Sequence, residues 1–559
     1  MSEGNHSHPL VLDGNSLGLE EVVEVAREFR KAELSPEAKE AMARSRALVE
    51  RWVAEGRPIY GINTGFGSLQ NVAIPPEEVE ALQENILVSH AAGVGDVLPE
   101  EVVRAMMLLR ANALAKGFSG VRVEVVERLL DVLNARVCPV VLDKGSVGSS
   151  GDLAPLAHMS LPLIGRGEAF YEGERLTGAE ALKRANLRPV VLKAKEGLAL
   201  TNGTQFMTAV GVLAVADGEA LAKVADIAGA MSLEAMKGRS EAFAEAPHRL
   251  RPFKGQADCA GNVRALTAGS ELMDAEDGDT SKEFVDEATG EKRTRRKRQD
   301  AYSLRCMPQV HGASRQAVAF VRGTVETEIN AATDNPLIIP AGSVAGGGDE
   351  DVSVSAGNFH GQPVALSMDF LALALAELGN ISERRVARLM NEGESYGLQP
   401  YLTKKAGLNS GMMMAQYAAA ALVSENKVLI HPASGDSIPT SSNQEDHNSM
   451  GNIAARQARE VLGNVQRVLA VELLCAAQAL GLRMDGEQKK GVKALKPGVG
   501  SRAAYELIRR KVPQRESDAQ TELYKDIQSV LELVQGGEVL RAVEGALAAH
   551  APSKLEPLA

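Results

Sequence analysis

The chain has 559 residues, is 45% hydrophobic and 24% charged, carries a net charge of −12, and has only 4% aromatic side chains. That is the composition of a globular protein with room for more than one domain. The acidic balance and the scarcity of aromatics argue against a nucleic-acid partner, whether held by phosphate contacts or by base stacking.

The opening "MSEGNHSHPL" has no basic segment leading into an apolar one, so it does not read as a secretory signal. Residues 17–56 predict two helices. The second opens with Ser35 and Pro36, a hydroxyl cap followed by proline at the first helical position, and stops at Gly56. "RPIYGINTGFGSLQNVAIP" breaks the helical pattern with three glycines around a tyrosine, and helices resume over 76–92 and 99–136. Strand-like runs such as "PVVLDKG" and "NPLIIP" are short and few.

From residue 361 onward the pattern is long and helical. "QPVALSMDFLALALAELGNISERRVARLM" places Leu366, Phe370, Leu373 and Leu378 near one face, and "GNIAARQAREVLGNVQRVLAVELLCAAQALGL" repeats Val461, Val465, Val468 and Leu469 at helical spacing. Alanine-rich helices of this length suit a tightly packed bundle. The expected fold is therefore mainly α: a long central helical bundle with an N-terminal mixed region of loops and short strands. The expected divisions are 1–205, 206–490 with an insertion at 274–298, and a helical segment 491–559. The insertion runs from acidic to basic, and its Lys292 to Arg298 run reads as a solvated loop; 341–353 reads as a glycine loop.

The four cysteines are scattered without a CxxC pair, as in a reducing compartment. Asp217, Glu219 and Asp226 interrupt the most apolar window, so no uninterrupted run reaches the roughly 18 residues of a membrane span. A cytoplasmic protein with no membrane partner is expected. Zinc, calcium and P-loop spacings are missing, so neither a metal nor a nucleotide is expected.

"GSVGSSGDLAPLAH", residues 145–158, fails the nucleophile-elbow pattern because Asp152 stands where glycine is required. No neighbouring base activates either serine. Backbone chemistry remains open. In X-Ser-Gly a compressed turn brings the glycine nitrogen onto the carbonyl carbon of X, and glycine tolerates the backbone this needs. Loss of one water closes an imidazolone ring. Loss of a second, from the serine side chain, leaves an electrophilic methylidene. By itself a small-residue turn is ordinarily only a turn.

The motif has company: "YGINTGFG" at 60–67, "EGLALTNGTQ" at 196–205, "QDAYSLRCMPQVHG" at 299–312, "GNFHGQP" at 357–363 and "SSNQEDHNSMG" at 441–451. Together these resemble the aromatic amino acid ammonia-lyase and aminomutase family over roughly residues 10 to 550. "VSHAAGVG" with His90, "NQEDH" with Glu445 and "MMMAQ" with Met413 are similar to the branch that deaminates histidine.

The resemblance implies a carbon–nitrogen lyase carrying 4-methylideneimidazol-5-one (MIO), formed from Ser149, Ser150 and Gly151, with no metal. It implies that the substrate amine adds to the methylidene and that elimination then yields trans-urocanate and ammonia. Tyr60 matches the base that removes the β-proton; an ordinary tyrosine is protonated at neutral pH, so its phenolate needs nearby positive charge or helix N-termini. Arg305 matches the partner of the substrate carboxylate. Asn202, Gln299 and Tyr302 match residues that hydrogen-bond substrate or MIO, with Tyr302 counted among the catalytic groups. Phe359 matches an aromatic beside the substrate ring, Met413 a substrate-binding residue, and His90 and Glu445 match the contacts of the imidazole. Asp152 matches a place where it assists maturation or orients the loop. The resemblance also implies a homotetramer with shared active sites, acting on a small amino acid. Ser149 stands where the family usually has alanine, so its hydroxyl needs space and a partner. Two other readings stay open: a tyrosine or phenylalanine lyase or 2,3-aminomutase, and a non-catalytic helical scaffold.

Overall fold

A computed structural model describes residues 8–274, 282–285, 292–295, 299–345, 348–489, 495–550 and 555–557. Within the charged insertion, the backbone of Lys282–Val285 pairs antiparallel with Lys292–Arg295; the rest of that insertion, and residues 346–347 of the glycine loop, lie outside the described residues. The chain divides into two compact units: residues 1–216, 321–369 and 432–458 form the first, and 217–320, 370–431 and 459–559 the second.

The fold is mainly helical. Ser35 caps the helix Pro36–Ala54 as its sequence predicts, its Oγ accepting from the Ala38 N–H at 3.0 Å. The run over 99–136 is not one helix but two, Glu100–Ala115 and Val123–Asn134. Gly117 and Gly120, both at positive φ, end the first and turn the chain toward the second.

In the first unit the only tryptophan of the chain, Trp52, packs in a cluster with Leu48, Val49, Ile59, Ile62, Val79, Ala194 and Ile338. Ile59 and Ile62 flank Tyr60. Their burial, worth about 2 kcal/mol for each side chain, fixes the tyrosine turn to the core. Gly61 allows a close approach there: a Cβ at this position would lie 2.3 Å from the Leu198 side chain. Val94–Val97 pairs antiparallel with Leu142–Lys144. That small sheet joins the segment just after His90 to the segment just before Gly145.

In the second unit, buried charges are matched in pairs. Glu472 accepts from Arg385 Nε at 2.5 Å and Nη2 at 2.9 Å, and from the hydroxyls of Ser232 and Ser382. Asp226 accepts from Arg315 Nη2 at 2.6 Å and Asn262 Nδ2 at 2.8 Å, with His311 Nδ1 at 2.8 Å. Burial alone would raise the Asp226 pKa, but Arg315 and His311 hold it well below the usual carboxylate range. Cys259 joins Asp226 and His311 in a cluster of possible metal ligands. In this structure Cys259 Sγ donates to Asp226 Oδ1 at 3.1 Å, and the same carboxylate is shared with Arg315 Nη2 and His311 Nδ1, a hydrogen-bonded core network.

The helix Gln362–Met390 departs from its expected face. Leu366, Phe370 and Leu373 are exposed at 56%, 42% and 50%, whereas Leu378 is fully buried. At about 100° per residue Leu378 points roughly 140° away from Leu373, so it belongs to the core side with Leu371 and Leu375. In Gly451–Lys489 the predicted Val461, Val465, Val468 and Leu469 are all buried. Gln362–Met390 and the Gly451–Asp485 stretch are long and apolar enough to cross a membrane, but 67% and 83% of their apolar windows are buried inside the chain, as in core helices.

Candidate active site

The stretch 145–152 forms a tight turn. Gly148, Ser150 and Gly151 all have positive φ (81°, 50° and 81°), and the Gly151 N–H donates to Gly148 O at 3.3 Å. A serine in the left-handed region costs about 1–2 kcal/mol, so neighbours must hold it. Ser150 O accepts from the Gly203 N–H at 3.2 Å, and Gly203 O accepts from the Asp152 N–H at 2.7 Å. Gly151 lies inside this bracket. A Cβ there would sit 2.1 Å from Gly203 O and 3.0 Å from Phe359 O, so the position accepts only glycine. Ser146 Oγ donates to Gly151 O at 3.2 Å and accepts from the Gly148 N–H at 3.1 Å.

Asp152 is fully buried. Its Oδ2 accepts from the Met207 N–H at 3.0 Å, near the start of the helix Gln205–Ala235, while among the described residues no hydrogen bond of good geometry reaches Oδ1. Burial pushes its pKa up to about 7, against the pull of the backbone donors. A carboxyl that titrates near neutrality can both take and give a proton. Asn202 precedes Gly203; its Nδ2 donates to Asn335 O at 3.0 Å, and its carbonyl accepts from buried Arg110 Nη1 at 2.8 Å.

Tyr60 Oη accepts from the Gly67 N–H at 3.3 Å. Burial raises its pKa, the Gly67 N–H offsets part of this, and Glu445 adds to the rise. The surroundings of Tyr60 within this unit thus oppose the phenolate, where the sequence led us to expect support from positive charge. Glu445 sits between the tyrosine turn and the 145–152 turn. Its Oε2 accepts from Ser149 Oγ and from Thr440 Oγ1, the latter at 2.8 Å. Its Oε1 lies 3.7 Å from where a Cβ on Gly67 would be. The Met450 N–H donates to Val147 O at 3.0 Å, tying the two loops together.

His90 ends the helix Val79–His90. Burial lowers its pKa, which keeps it neutral near pH 7, and Glu445 opposes that shift. Ser89 Oγ donates to Ile86 O at 3.3 Å and lies 3.0 Å from His90 Nδ1, so either ring nitrogen of His90 can carry the hydrogen. His158 Nε2 accepts from the Gly93 N–H at 3.0 Å, which anchors the chain just past His90 to the helix that follows Asp152.

Tyr60, His90, Ser149 to Asp152, Asn202, Phe359 and Glu445 all belong to the first unit. Gln299, Tyr302, Arg305 and Met413 belong to the second. There Arg305 stacks over the Tyr302 ring at 4.8 Å and donates from Nε to Asp300 O at 2.9 Å; Tyr302 is 72% exposed, Gln299 is exposed, and Met413 opens the helix Met413–Leu429. Sequence reasoning missed Ser146, Thr440, His158 and Arg110. Ser146 and His158 lie inside the 145–158 motif itself and so left a local signal; Thr440 and Arg110 did not.

The aromatic amino acid lyase family model matches residues 17–510. The chain belongs to that family. It is 53% identical over 530 residues to a histidine ammonia-lyase of Caldanaerobacter subterraneus subsp. tengcongensis, covering 95% of this chain and 97% of the relative. Its fold is similar to the crystal structure of histidine ammonia-lyase from Trypanosoma cruzi, at TM-score 0.84 and 39% identity, with 96% of each chain covered. It is also similar to tyrosine aminomutase from Streptomyces globisporus, at TM-score 0.87 and 37% identity, over 98% of this chain and all of the other. Family membership makes the chain a carbon–nitrogen lyase.

Proposed function

We propose that the chain is a cytoplasmic enzyme that deaminates L-histidine to trans-urocanate and ammonia, using an MIO group made from Ser149, Ser150 and Gly151. The observation that carries this reading is the meeting of Glu445 with both the tyrosine turn and the 145–152 turn, in a chain about half identical to proteins named for histidine deamination. The residues present fit the cyclised group. The turn is already left-handed at Ser150 and Gly151, the Gly203 carbonyl leaves no room for a side chain, and the carboxyl of Asp152, fully buried, lies next to it in the chain.

The MIO group supplies an electrophile for the substrate amine, which makes that amine a better leaving group. The protein's residues do the rest. Tyr60 Oη takes the β-proton as the C–N bond breaks and the C=C bond forms, and ammonia leaves. An imidazole needs an acceptor for its N–H and a donor for its bare nitrogen; Glu445 Oε1 and His90 Nε2 offer these. Arg305 pairs with the substrate carboxylate as a two-pronged donor. Asn202, Gln299, Tyr302, Phe359 and Met413 orient the substrate. Asp152 holds and releases a proton at Oδ1 during maturation.

The working form we propose is a homotetramer that shares its sites. The exposed apolar row of Leu366, Phe370 and Leu373, where Phe370 packs edge-on against exposed Phe320 at 5.8 Å, supports a face covered by another copy of the chain. Intact mass tests the cyclised group. Protein lighter than its sequence by two waters supports it, and an unmodified mass would favour a helical scaffold without catalysis.

A further inference from the structure

Ser149 is set apart by its side chain, which ring closure does not use. Its Oγ is buried and donates to Glu445 Oε2 across 296 residues of sequence. Thr440 Oγ1 donates to the same oxygen at 2.8 Å, and the backbone of Thr440 and Glu445 is paired in both directions, Thr440 N–H to Glu445 O at 2.9 Å and Glu445 N–H to Thr440 O at 3.4 Å. Among the described residues, no hydrogen bond goes to Oε1. That oxygen faces Gly67, whose N–H holds the Tyr60 hydroxyl.

A carboxylate on a flexible side chain ordinarily rotates between equivalent settings. Two donors on one oxygen remove that freedom and present the other oxygen in one direction. We propose that Ser149 is a positioning residue for substrate recognition. Its hydroxyl, with that of Thr440, fixes Oε2 of Glu445 so that Oε1 is held ready for the N–H of the substrate imidazole. One residue then serves two ends: its carbonyl carbon enters the electrophilic ring, and its side chain sets the distance from that ring to the group that reads the substrate. An alanine at this position would leave only Thr440 to orient Glu445. The inference rests on the histidine reading above.

The test is a double-mutant cycle on the purified full chain with L-histidine, comparing wild type, Ser149→Ala, Glu445→Gln and the double variant, with Ser149→Thr as the conservative replacement. Intact mass is taken for each. The expected result is that Ser149→Ala still loses two waters but falls about tenfold in kcat/KM, the size of one lost hydrogen bond to a charged group, mostly through KM. Ser149→Thr should recover most of that loss, and Ser149→Ala should add little to Glu445→Gln. Wild-type kcat/KM in Ser149→Ala, or full additivity with Glu445→Gln, would overturn the positioning role while leaving histidine turnover intact. If wild type itself does not consume histidine, the histidine reading fails first, and the inference with it.

Discussion

Replacing Gly151 by alanine tests the turn where geometry is least forgiving. The new Cβ would lie 2.1 Å from Gly203 O and 2.5 Å from Gly203 C, backbone atoms that cannot rotate away. The segments must therefore separate. Separation breaks the Asp152 N–H to Gly203 O bond (2.7 Å) and the Gly203 N–H to Ser150 O bond (3.2 Å), at about 1 kcal/mol each. Keeping φ near 81° costs an alanine about 1–2 kcal/mol more. The total, about 3–4 kcal/mol, lowers the population of the closed turn by about a hundredfold or more, yet is less than the usual stability of a folded protein. Gly151→Ala should therefore fold but not mature. Circular dichroism should match wild type, while intact mass shows the unmodified chain or a small matured fraction. Complete loss of two waters at the wild-type rate would refute the reasoning.

Other outcomes follow from the same geometry. Because the Asp152 pKa is raised from 3.8 to about 7, the folded chain keeps a proton that the unfolded chain releases. The stability this gives is full below 3.8 and is lost as pH rises through 7, on the order of 4 kcal/mol. In a Ser150→Ala background, where no ring forms, Asp152→Asn should flatten the fall in thermal midpoint between about pH 5 and pH 8; an unchanged slope would contradict the shift. Tyr60→Phe should mature normally yet lose about a hundredfold or more in kcat, and the wild-type rate should climb with pH, because burial and Glu445 disfavour the phenolate. Leu373→Asp, on the exposed row, should lower the mass in light scattering from four chains to fewer; an intact tetramer would argue against that face as the contact.

How much of this was legible in the sequence depends on the range of the interaction. The Ser35–Pro36 start is a local signal, and the helix begins there. Gly117 and Gly120 were equally local, but the apolar pattern runs across both, so the break in 99–136 was hidden. Spacings of four and three keep Leu366, Phe370 and Leu373 on one face, but Leu378 lies five residues beyond Leu373 and so falls on the core side. Around the site, the motifs locate Tyr60, Asn202, Ser149 to Asp152 and Glu445, but not what holds them. Thr440 matters only because its hydroxyl meets Glu445 Oε2, and His158 only because its ring accepts from Gly93. The rise in the Tyr60 pKa was invisible for the same reason, since it comes from burial and from a carboxylate brought near by folding.

The most direct measurement is the absorbance of urocanate formed when the purified wild-type protein, its mass first recorded, meets L-histidine, with L-tyrosine and L-phenylalanine in parallel. The account predicts a chain lighter by two waters that forms urocanate from histidine and little arylacrylate from the other two. Turnover of tyrosine or phenylalanine with none of histidine, by protein that has lost the two waters, would contradict it.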